Sequence, residues 1–212
     1  MAIQKQTHTS DGRATSTSAH CTVLATVNGP LETARREELH DASILDVNIR
    51  PLSGSSGPRE RYLEDAICAF LRSVILVHTM PRAQIQVTLQ FIQLNKALQS
   101  IPKAKRDLSA LSVLYDAAFL AVHDAGLPLK SMAVAVLTAD GIVDPSVEQL
   151  GRAKGLQLCV CSANGNVLQW HSEGEWDADA CRLADHAAKE KLASLRQTLV
   201  DDARSGIEWR GF

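Results

Sequence analysis

The chain has 212 residues, of which 45% are hydrophobic and 22% charged, enough for one domain of ordinary size with a sizeable core. Its formal net charge is −2, so any contact with nucleic acid must come from local basic patches. No apolar run is long enough to span a bilayer, and the polar N-terminus lacks the apolar stretch of a secretory signal. Five scattered cysteines without a C-x-x-C pair predict reduced thiols in an intracellular protein and no zinc site.

The first half of the chain predicts strands and a helix in alternation. Residues 1–18 are polar and expected to be mobile at the start, with residues 1–10 as a flexible N-terminus. Apolar residues that alternate with polar ones indicate half-buried strands, and apolar residues at helical spacing indicate a helix. The predicted elements are a strand over 20–27, a turn at Asn28-Gly29-Pro30, a charged loop over 31–41, a strand over 45–50, a helix over 60–78 and a strand over 84–92.

The second half predicts a helix, three strands and a long final helix. Residues 95–106 are polar, and 140–155 are expected to be irregular. Gly126 and Pro128 follow the first of these helices as termination signals, and Asn164-Gly165 joins two strands as a hairpin turn. The predicted elements are a helix over 107–124, strands over 132–137, 156–161 and 167–170, and a helix capped by Asp177 that runs to 199. This order suggests one α+β domain.

Several short motifs, in order, resemble the RNase PH family, whose members phosphorolyse RNA or line the RNA channel of the exosome. Each motif is weak alone, but their order and spacing are fairly specific. The motifs are Asp11-Gly-Arg-Ala14, Val27-Asn-Gly-Pro-Leu-Glu32, Val47-Asn-Ile-Arg-Pro51, Arg59-Glu-Arg-Tyr-Leu-Glu64 and Asp124-Ala-Gly-Leu-Pro-Leu-Lys-Ser-Met132. The resemblance implies a single RNase PH-like domain over 11–212, of the ribosomal protein S5 domain 2-like type, in which a mixed sheet packs with helices.

The resemblance also implies where a phosphorolytic site would lie. Active members need a basic residue at the start of the first helix, a G-G-T-R turn that binds phosphate at a helix N-terminus, and two aspartates six residues apart. Gap-free counting places Arg59 at the first position, Leu108-Ser-Ala-Leu111 at the turn, and Asp144 and Leu150 at the aspartates. Glu148 could take the role of the second aspartate if the count shifts. Loss of the turn and of one aspartate predicts no catalytic residues and an inactive homologue.

Three arginines are the candidate RNA-binding residues that the resemblance implies. Arg35 and Arg36 lie in the loop that lines the pore in the family, and Arg59 opens the first predicted helix. The competing interpretation is that neighbouring acidic residues neutralise these arginines, or that Arg59 contacts a partner protein. The acidic residues in question are Glu37, Glu38, Glu60 and Glu64.

The leading functional hypothesis is a non-catalytic subunit of the RNA exosome core ring that supports 3′-to-5′ processing and degradation of RNA, ribosomal RNA included. The resemblance implies RNase PH-like ring subunits, S1/KH cap subunits and threaded single-stranded RNA as partners, and the nucleus, nucleolus and cytoplasm as locations. No cofactor, metal or membrane is expected, and Asp140, Asp144 and Glu148 are interpreted as a polar loop. The alternatives are an active phosphorolytic 3′-to-5′ exoribonuclease and an unrelated α+β domain that binds proteins.

Overall fold

A computed structural model describes residues 10–34, 38–175 and 178–208. The described part contains eight strands and four α-helices. The strands are β1 (Gly12–Thr17), β2 (Cys21–Glu32), β3 (Ile44–Arg50), β4 (Ala83–Leu94), β5 (Ala133–Ala139), β6 (Ile142–Val143), β7 (Gly155–Ser162) and β8 (Val167–Gly174). The helices are α1 (Pro58–Val74), α2 (Lys103–Asp124), α3 (Val147–Arg152) and α4 (Ala178–Glu208).

The first four strands form a mixed sheet in the order β1-β2-β4-β3. Strand β3 runs parallel to β4, and the other neighbours are antiparallel. The alternation predicted for β4 is confirmed, because Ile85, Val87, Leu89 and Phe91 are all buried on one face. This sheet packs against α1 and α2.

The last four strands form an antiparallel sheet in the order β6-β5-β7-β8. Every residue of β5 and β7 is buried, because α2 covers one face of this sheet and α4 the other. The predicted hairpin at Asn164-Gly165 is confirmed, with Gly165 at φ +80°. Cys159 and Cys161 share a face, as predicted, and their sulfurs lie 3.3 Å apart.

Helix α2 is the centre of the molecule, with α1 beside it and one sheet on either side. Its residues are buried from Ser109 to Val122 almost without interruption. The resulting order of layers is sheet, helix pair, sheet, helix. The predicted α+β class is therefore confirmed, with two sheets in place of a single mixed one.

The prediction of a mobile start over residues 1–18 is wrong for residues 12–17, which form β1 and pair with β2. This strand has the sequence Gly-Arg-Ala-Thr-Ser-Thr, in which small and polar residues do not produce the alternation of apolar and polar residues that predicts a strand. Gly12 lies so close to α2 that a Cβ there would overlap the Ala121 carbonyl oxygen. The strand can therefore pack against α2 only because Gly12 has no side chain. Residues 1–9 lie outside the described residues.

Two predicted boundaries in the first half are also wrong. Strand β2 does not end at Asn28-Gly29-Pro30. It becomes irregular there and resumes pairing with β4 at Leu31. The helix predicted over 60–78 ends at Val74, because Ile75 leaves the helix and forms a β-bridge with Leu129.

Two helix starts in the second half were also missed. Helix α2 begins at Lys103, four residues before the predicted start. The segment predicted to be irregular over 140–155 contains the short strand β6 and helix α3. A capping box, Ser146 with Gln149, begins α3 and is the sequence signal that was overlooked.

Helix α4 extends beyond the predicted end at residue 199 to Glu208, and its predicted cap, Asp177, lies outside the described residues. Within the described ranges, no helix has both the length and the hydropathy needed to cross a bilayer.

Candidate functional site

Arg59 lies in the first turn of α1, where its guanidinium pairs with an acid of the neighbouring helix. Its Nε is 2.5 Å from Asp107 Oδ1, whereas its Nη1 is 3.9 Å from Glu60 Oε1. Glu64 does not hold Arg59, since its carboxylate accepts the backbone N–H of Ile49 at 2.8 Å. The Arg59 side chain remains 44% exposed, so it is open to an anion that competes with Asp107.

The segment Leu108–Leu111, to which gap-free counting assigns the phosphate-binding turn, lies inside α2. Only the first four N–H groups of an α-helix are free of intrahelical partners, and α2 begins at Lys103. The N–H groups of this segment are therefore used within the helix and cannot surround an anion. Ser109 is fully buried, and its hydroxyl donates to the Arg106 carbonyl oxygen at 2.9 Å.

The two residues that gap-free counting assigns to the aspartate positions, Asp144 and Leu150, lie in different environments. Asp144 is exposed, with φ +48°, and its backbone N–H donates to the Leu137 carbonyl oxygen at 2.9 Å. Leu150 lies in α3 and is fully buried, so this position belongs to the core. Glu148 is exposed on the first turn of α3 and does not line the cavity into which Asp144 faces.

That cavity has a volume of about 430 Å³ and lies between the β1–β2 turn, α2, the edge of β5 and α4. Its ionisable lining residues are His20, Asp116, Asp144 and Lys191. Of these four residues, only Asp144 was predicted from the sequence as a candidate site residue. An acidic residue in the otherwise apolar middle of α2 was the one available signal for Asp116.

Asp116 and Lys191 form a buried pair that fastens α4 to α2 and β5. Lys191 Nζ is 2.7 Å from Asp116 Oδ2 and donates to the Ala135 carbonyl oxygen at 2.5 Å. The backbone N–H of Ala135 donates to the other carboxylate oxygen at 3.1 Å. Burial raises the pKa of Asp116, and the Lys191 ammonium opposes that rise because it stabilises the charged carboxylate.

His20 forms the inner wall of the cavity and is only 4% exposed. Burial lowers its pKa, while the nearby Asp144 carboxylate and a hydrogen bond with the Pro145 carbonyl partly oppose the shift. The ring is therefore neutral at pH 7. Its Nδ1 atom is buried and has no hydrogen-bond partner within the described structure.

The acidic residues near α3 do not converge on a metal site. Asp140 accepts the backbone N–H groups of Lys154 and Gly155, both at 2.9 Å, and these donors lower its pKa. Across the described ranges, no three His, Cys, Asp or Glu side chains are arranged to hold a metal ion. The loop with Arg35 and Arg36 lies outside the described residues, so the structure does not place two of the three candidate RNA-binding residues.

The two-sheet fold, with two helices between the sheets and an arginine at the start of the first helix, is an α+β domain. The chain belongs to the RNase PH family, since the family described as 3′ exoribonuclease family, domain 1, matches residues 2–128. The hypothesis of an unrelated α+β domain is therefore wrong. The predicted family resemblance is confirmed over most of the chain.

Sequence similarity to individual proteins extends beyond residue 128. The chain is 32% identical over 208 residues to the exosome complex component RRP46 of Saccharomyces cerevisiae. The aligned region covers 91% of this chain and 91% of that protein. It is 28% identical over 127 residues to exosome complex component rrp46 of Schizosaccharomyces pombe, covering 60% of this chain and 51% of that protein.

Solved structures show the same fold. The crystal structure of rice Rrp46 matches with a TM-score of 0.77 at 22% identity and covers 93% of each chain. A chain of the Archaeoglobus fulgidus exosome with RNA bound to the active site matches with a TM-score of 0.67 at 15% identity, covering 91% of this chain and 86% of that one.

Proposed function

We propose that this protein is a non-catalytic structural subunit of an RNA exosome core ring. The observation that carries this proposal is the 32% identity to a named exosome component over 91% of the chain. The ring supports 3′-to-5′ processing and degradation of RNA, and this subunit contributes to its wall. Its partners are other RNase PH-like subunits, S1/KH cap subunits and threaded single-stranded RNA. Its locations are the nucleus, the nucleolus and the cytoplasm.

The site geometry supports the non-catalytic half of this proposal. A phosphorolytic site needs N–H donors and a cation that converge on the attacking phosphate. In this chain the corresponding segment is helix interior, and the second aspartate position is the buried Leu150. Arg59 and Asp144 alone leave the phosphate without a cradle, so chemistry at this site is strongly disfavoured.

Contact with RNA would be electrostatic in this proposal. Arg35, Arg36 and Arg59 face the channel and bind the phosphate backbone without regard to sequence. The pairing of Arg59 with Asp107 makes its contribution weaker than that of a free arginine, because a phosphate must compete with a carboxylate already in place.

Affinity purification of the tagged native protein tests the assembly. The proposal expects RNase PH-like subunits and S1/KH proteins in stoichiometric amounts, while recovery of the chain without them would contradict it. A second assay supplies RNA and inorganic phosphate to the purified chain and measures nucleoside diphosphate release. The competing candidate, an active exoribonuclease, requires release that depends on phosphate and is lost in Asp144→Asn.

A further inference from the structure

Strands β1 and β3, the two edges of the first sheet, have backbone groups that side chains cover. On β1, the N–H of Arg13 donates to Asp124 Oδ2 at 2.9 Å. On β3, the N–H of Ile49 donates to Glu64 Oε1 at 2.8 Å. Such cover prevents the edge of a sheet from pairing with a strand of another chain.

The exposed part of β5 in the second sheet is covered in the same way. Strand β6 pairs with β5 only at Thr138 and Ala139, so β5 is an edge strand at Ala135. There the N–H donates to Asp116, and the C=O accepts from Lys191. The buried ion pair therefore also closes a sheet edge.

Strand β8 forms the opposite edge of the second sheet, and its register shows which of its groups point outwards. Ala135 bonds away from β7, so Val160, which lies opposite it, bonds towards β8 and pairs with Gln169. Bonding directions alternate along an antiparallel strand. The N–H and C=O groups of Trp170, and of Ser172 two residues further, therefore point away from β7.

This edge of β8 has no cover. Across residues 10–34, 38–175 and 178–208, nothing bonds to the outward backbone groups of Trp170 and Ser172. Strand β8 also lacks the lysine and proline that commonly protect an edge. Apolar surface flanks it, since Val167 is 56% exposed and Tyr62, on the helix that contacts β8, is 55% exposed. A long edge of this kind is a template for another strand.

The uncovered groups define the class of ligand, because each outward residue offers one donor and one acceptor. Outward residues follow at intervals of about 6.6 Å, or two residues at 3.3 Å each. Another extended backbone matches this spacing with both kinds of group, whereas the phosphates of a nucleic acid only accept. Glu173 and Glu175 are exposed at one end of the edge and have no ion pair within the described ranges, which favours a basic side chain in the ligand.

We propose that β8 pairs through its free edge with an extended strand of a partner protein. Tyr62 lies on the same face of the sheet as His171, since both are close to Tyr115, and Trp170 points to the opposite face. The partner strand places apolar side chains against Tyr62 and Trp170 and a basic side chain beside Glu173. The inference holds whether or not the partner is a subunit of the proposed ring.

A synthetic peptide tests the edge on the isolated chain. The peptide is as long as β8, alternates valine and threonine, and carries one terminal arginine. Its control has the same side chains but is methylated at every backbone nitrogen and cannot pair with a strand. The unmethylated peptide should shift the amide NMR signals of Trp170 and Ser172 saturably and slow their exchange with solvent about tenfold. Equal effects of the two peptides, or an effect of neither, would overturn the proposal.

Substitutions at Ser172 separate backbone pairing from side-chain contact. Ser172→Pro removes an outward N–H and leaves the bonds to β7 intact, and edge strands tolerate proline at such a position. It should weaken peptide binding about tenfold, whereas Ser172→Ala keeps the N–H and should bind like the parent chain. Unchanged affinity in Ser172→Pro would rule out pairing along this edge.

Glu173→Lys leaves the backbone unaltered and decides the question if Ser172→Pro does not fold. This substitution of an exposed residue should weaken binding of the peptide with arginine and strengthen binding of the same peptide with glutamate in its place. If the variant binds both peptides as the parent chain does, the proposed mode of pairing is wrong.

Hydrogen exchange in the native complex, purified through a tag on this chain, identifies the occupant. A partner strand predicts slow exchange of the Trp170 and Ser172 amides in the complex and fast exchange in the isolated chain. Fast exchange in both states would refute it, as would slow exchange in the isolated chain that is lost on dilution, since the occupant is then a second copy. Slow exchange in a complex without RNase PH-like subunits would contradict the proposed function alone, and fast exchange in an assembled ring would contradict this inference alone.

Discussion

Asp107 Oδ1 lies 2.5 Å from Arg59 Nε and thereby joins the second turn of α2 to the first turn of α1. The pair is 48 residues apart in sequence and binds together the two helices that lie between the sheets. It also places the basic side chain at the start of α1 beside a carboxylate, where its charge is partly balanced.

Asp107→Ala should release Arg59 at little cost in stability. The Arg59 side chain is 44% exposed, so solvent screening limits the loss in the free energy of unfolding to about 0.5–1 kcal/mol. Urea unfolding measures this loss, and it should shrink at high salt. Arg182→Ala, which breaks a pair exposed by more than 80% on both sides, is the control and should leave the stability unchanged. A loss well above 1 kcal/mol in Asp107→Ala would show a larger structural role.

The buried pair is expected to behave differently. Lys191→Met removes the cation and leaves the Asp116 carboxylate uncompensated, which should lower the free energy of unfolding by about 3 kcal/mol. The double variant Lys191→Met with Asp116→Asn should recover much of this loss, because Asn retains an oxygen that can accept the Ala135 N–H. Equal losses in the single and double variants would contradict the explanation.

The same single variant should show a distinctive pH dependence. Without Lys191, burial raises the pKa of Asp116 further above its ordinary value of 3.8. The folded state then binds more protons than the unfolded state between these two pKa values, so stability falls as pH rises through that window. Lys191→Met should therefore lose more stability, relative to the parent protein, at pH 7 than at pH 4.5. A loss that is the same at both pH values would argue against a charged Asp116.

One buried histidine and one half-buried histidine predict acid sensitivity of the parent chain. Burial lowers the pKa of His20 and of His171 below the ordinary value of 6.5, so the unfolded state binds more protons and stability falls as pH decreases below about 6.5. His171 Nε2 also lies 3.0 Å from the Tyr115 hydroxyl oxygen. His171→Gln should reduce this dependence because glutamine does not titrate, whereas His186→Gln on the exposed face of α4 should not. Chemical unfolding at a series of pH values provides the measurement.

RNA threading remains a prediction for the loop outside the described residues. Arg35→Glu with Arg36→Glu should slow passage of RNA through an assembled ring while leaving the ring intact, because the substitutions replace phosphate-binding cations with anions. Arg182→Glu on α4 controls for net charge. Crosslinking of the complex to threaded RNA is the readout, and unchanged protection with no crosslinks to this loop would favour neutralisation by Glu37 and Glu38.

Much of the fold could be predicted because alternation and helical spacing are local signals. They identified β4, the body of α2 and the β7–β8 hairpin. They failed for β1, whose small residues pack through the absence of a side chain at Gly12, and for β2, which continues past Gly29-Pro30 because its pairing with β4 resumes. In both strands the structure depends on contacts with residues distant in sequence, and local patterns of apolar residues do not predict such contacts.

Candidate site residues could be predicted only at the positions that the resemblance to the RNase PH family implies. Gap-free counting assigned Arg59, Asp144 and Leu150 to the family's site positions, and the segment that it assigns to the phosphate turn lies in the interior of α2. The partner of Arg59, Asp107, was not found, because nothing in the sequence relates residues 48 positions apart. For the same reason the sequence did not bring His20 and Lys191 together across the cavity.

The distance along the chain between Asp116 and Lys191 has a consequence for how the protein emerges from the ribosome. The two residues are 75 positions apart, and a ribosome needs about 4–15 s to synthesise that length at 5–20 residues per second. During this interval the nascent α2 can associate with the first sheet, but its carboxylate has no counter-ion and the outer face of β5 has no cover. Newly made chains should therefore depend on chaperones for this period, and truncation before residue 191 should yield a product that aggregates.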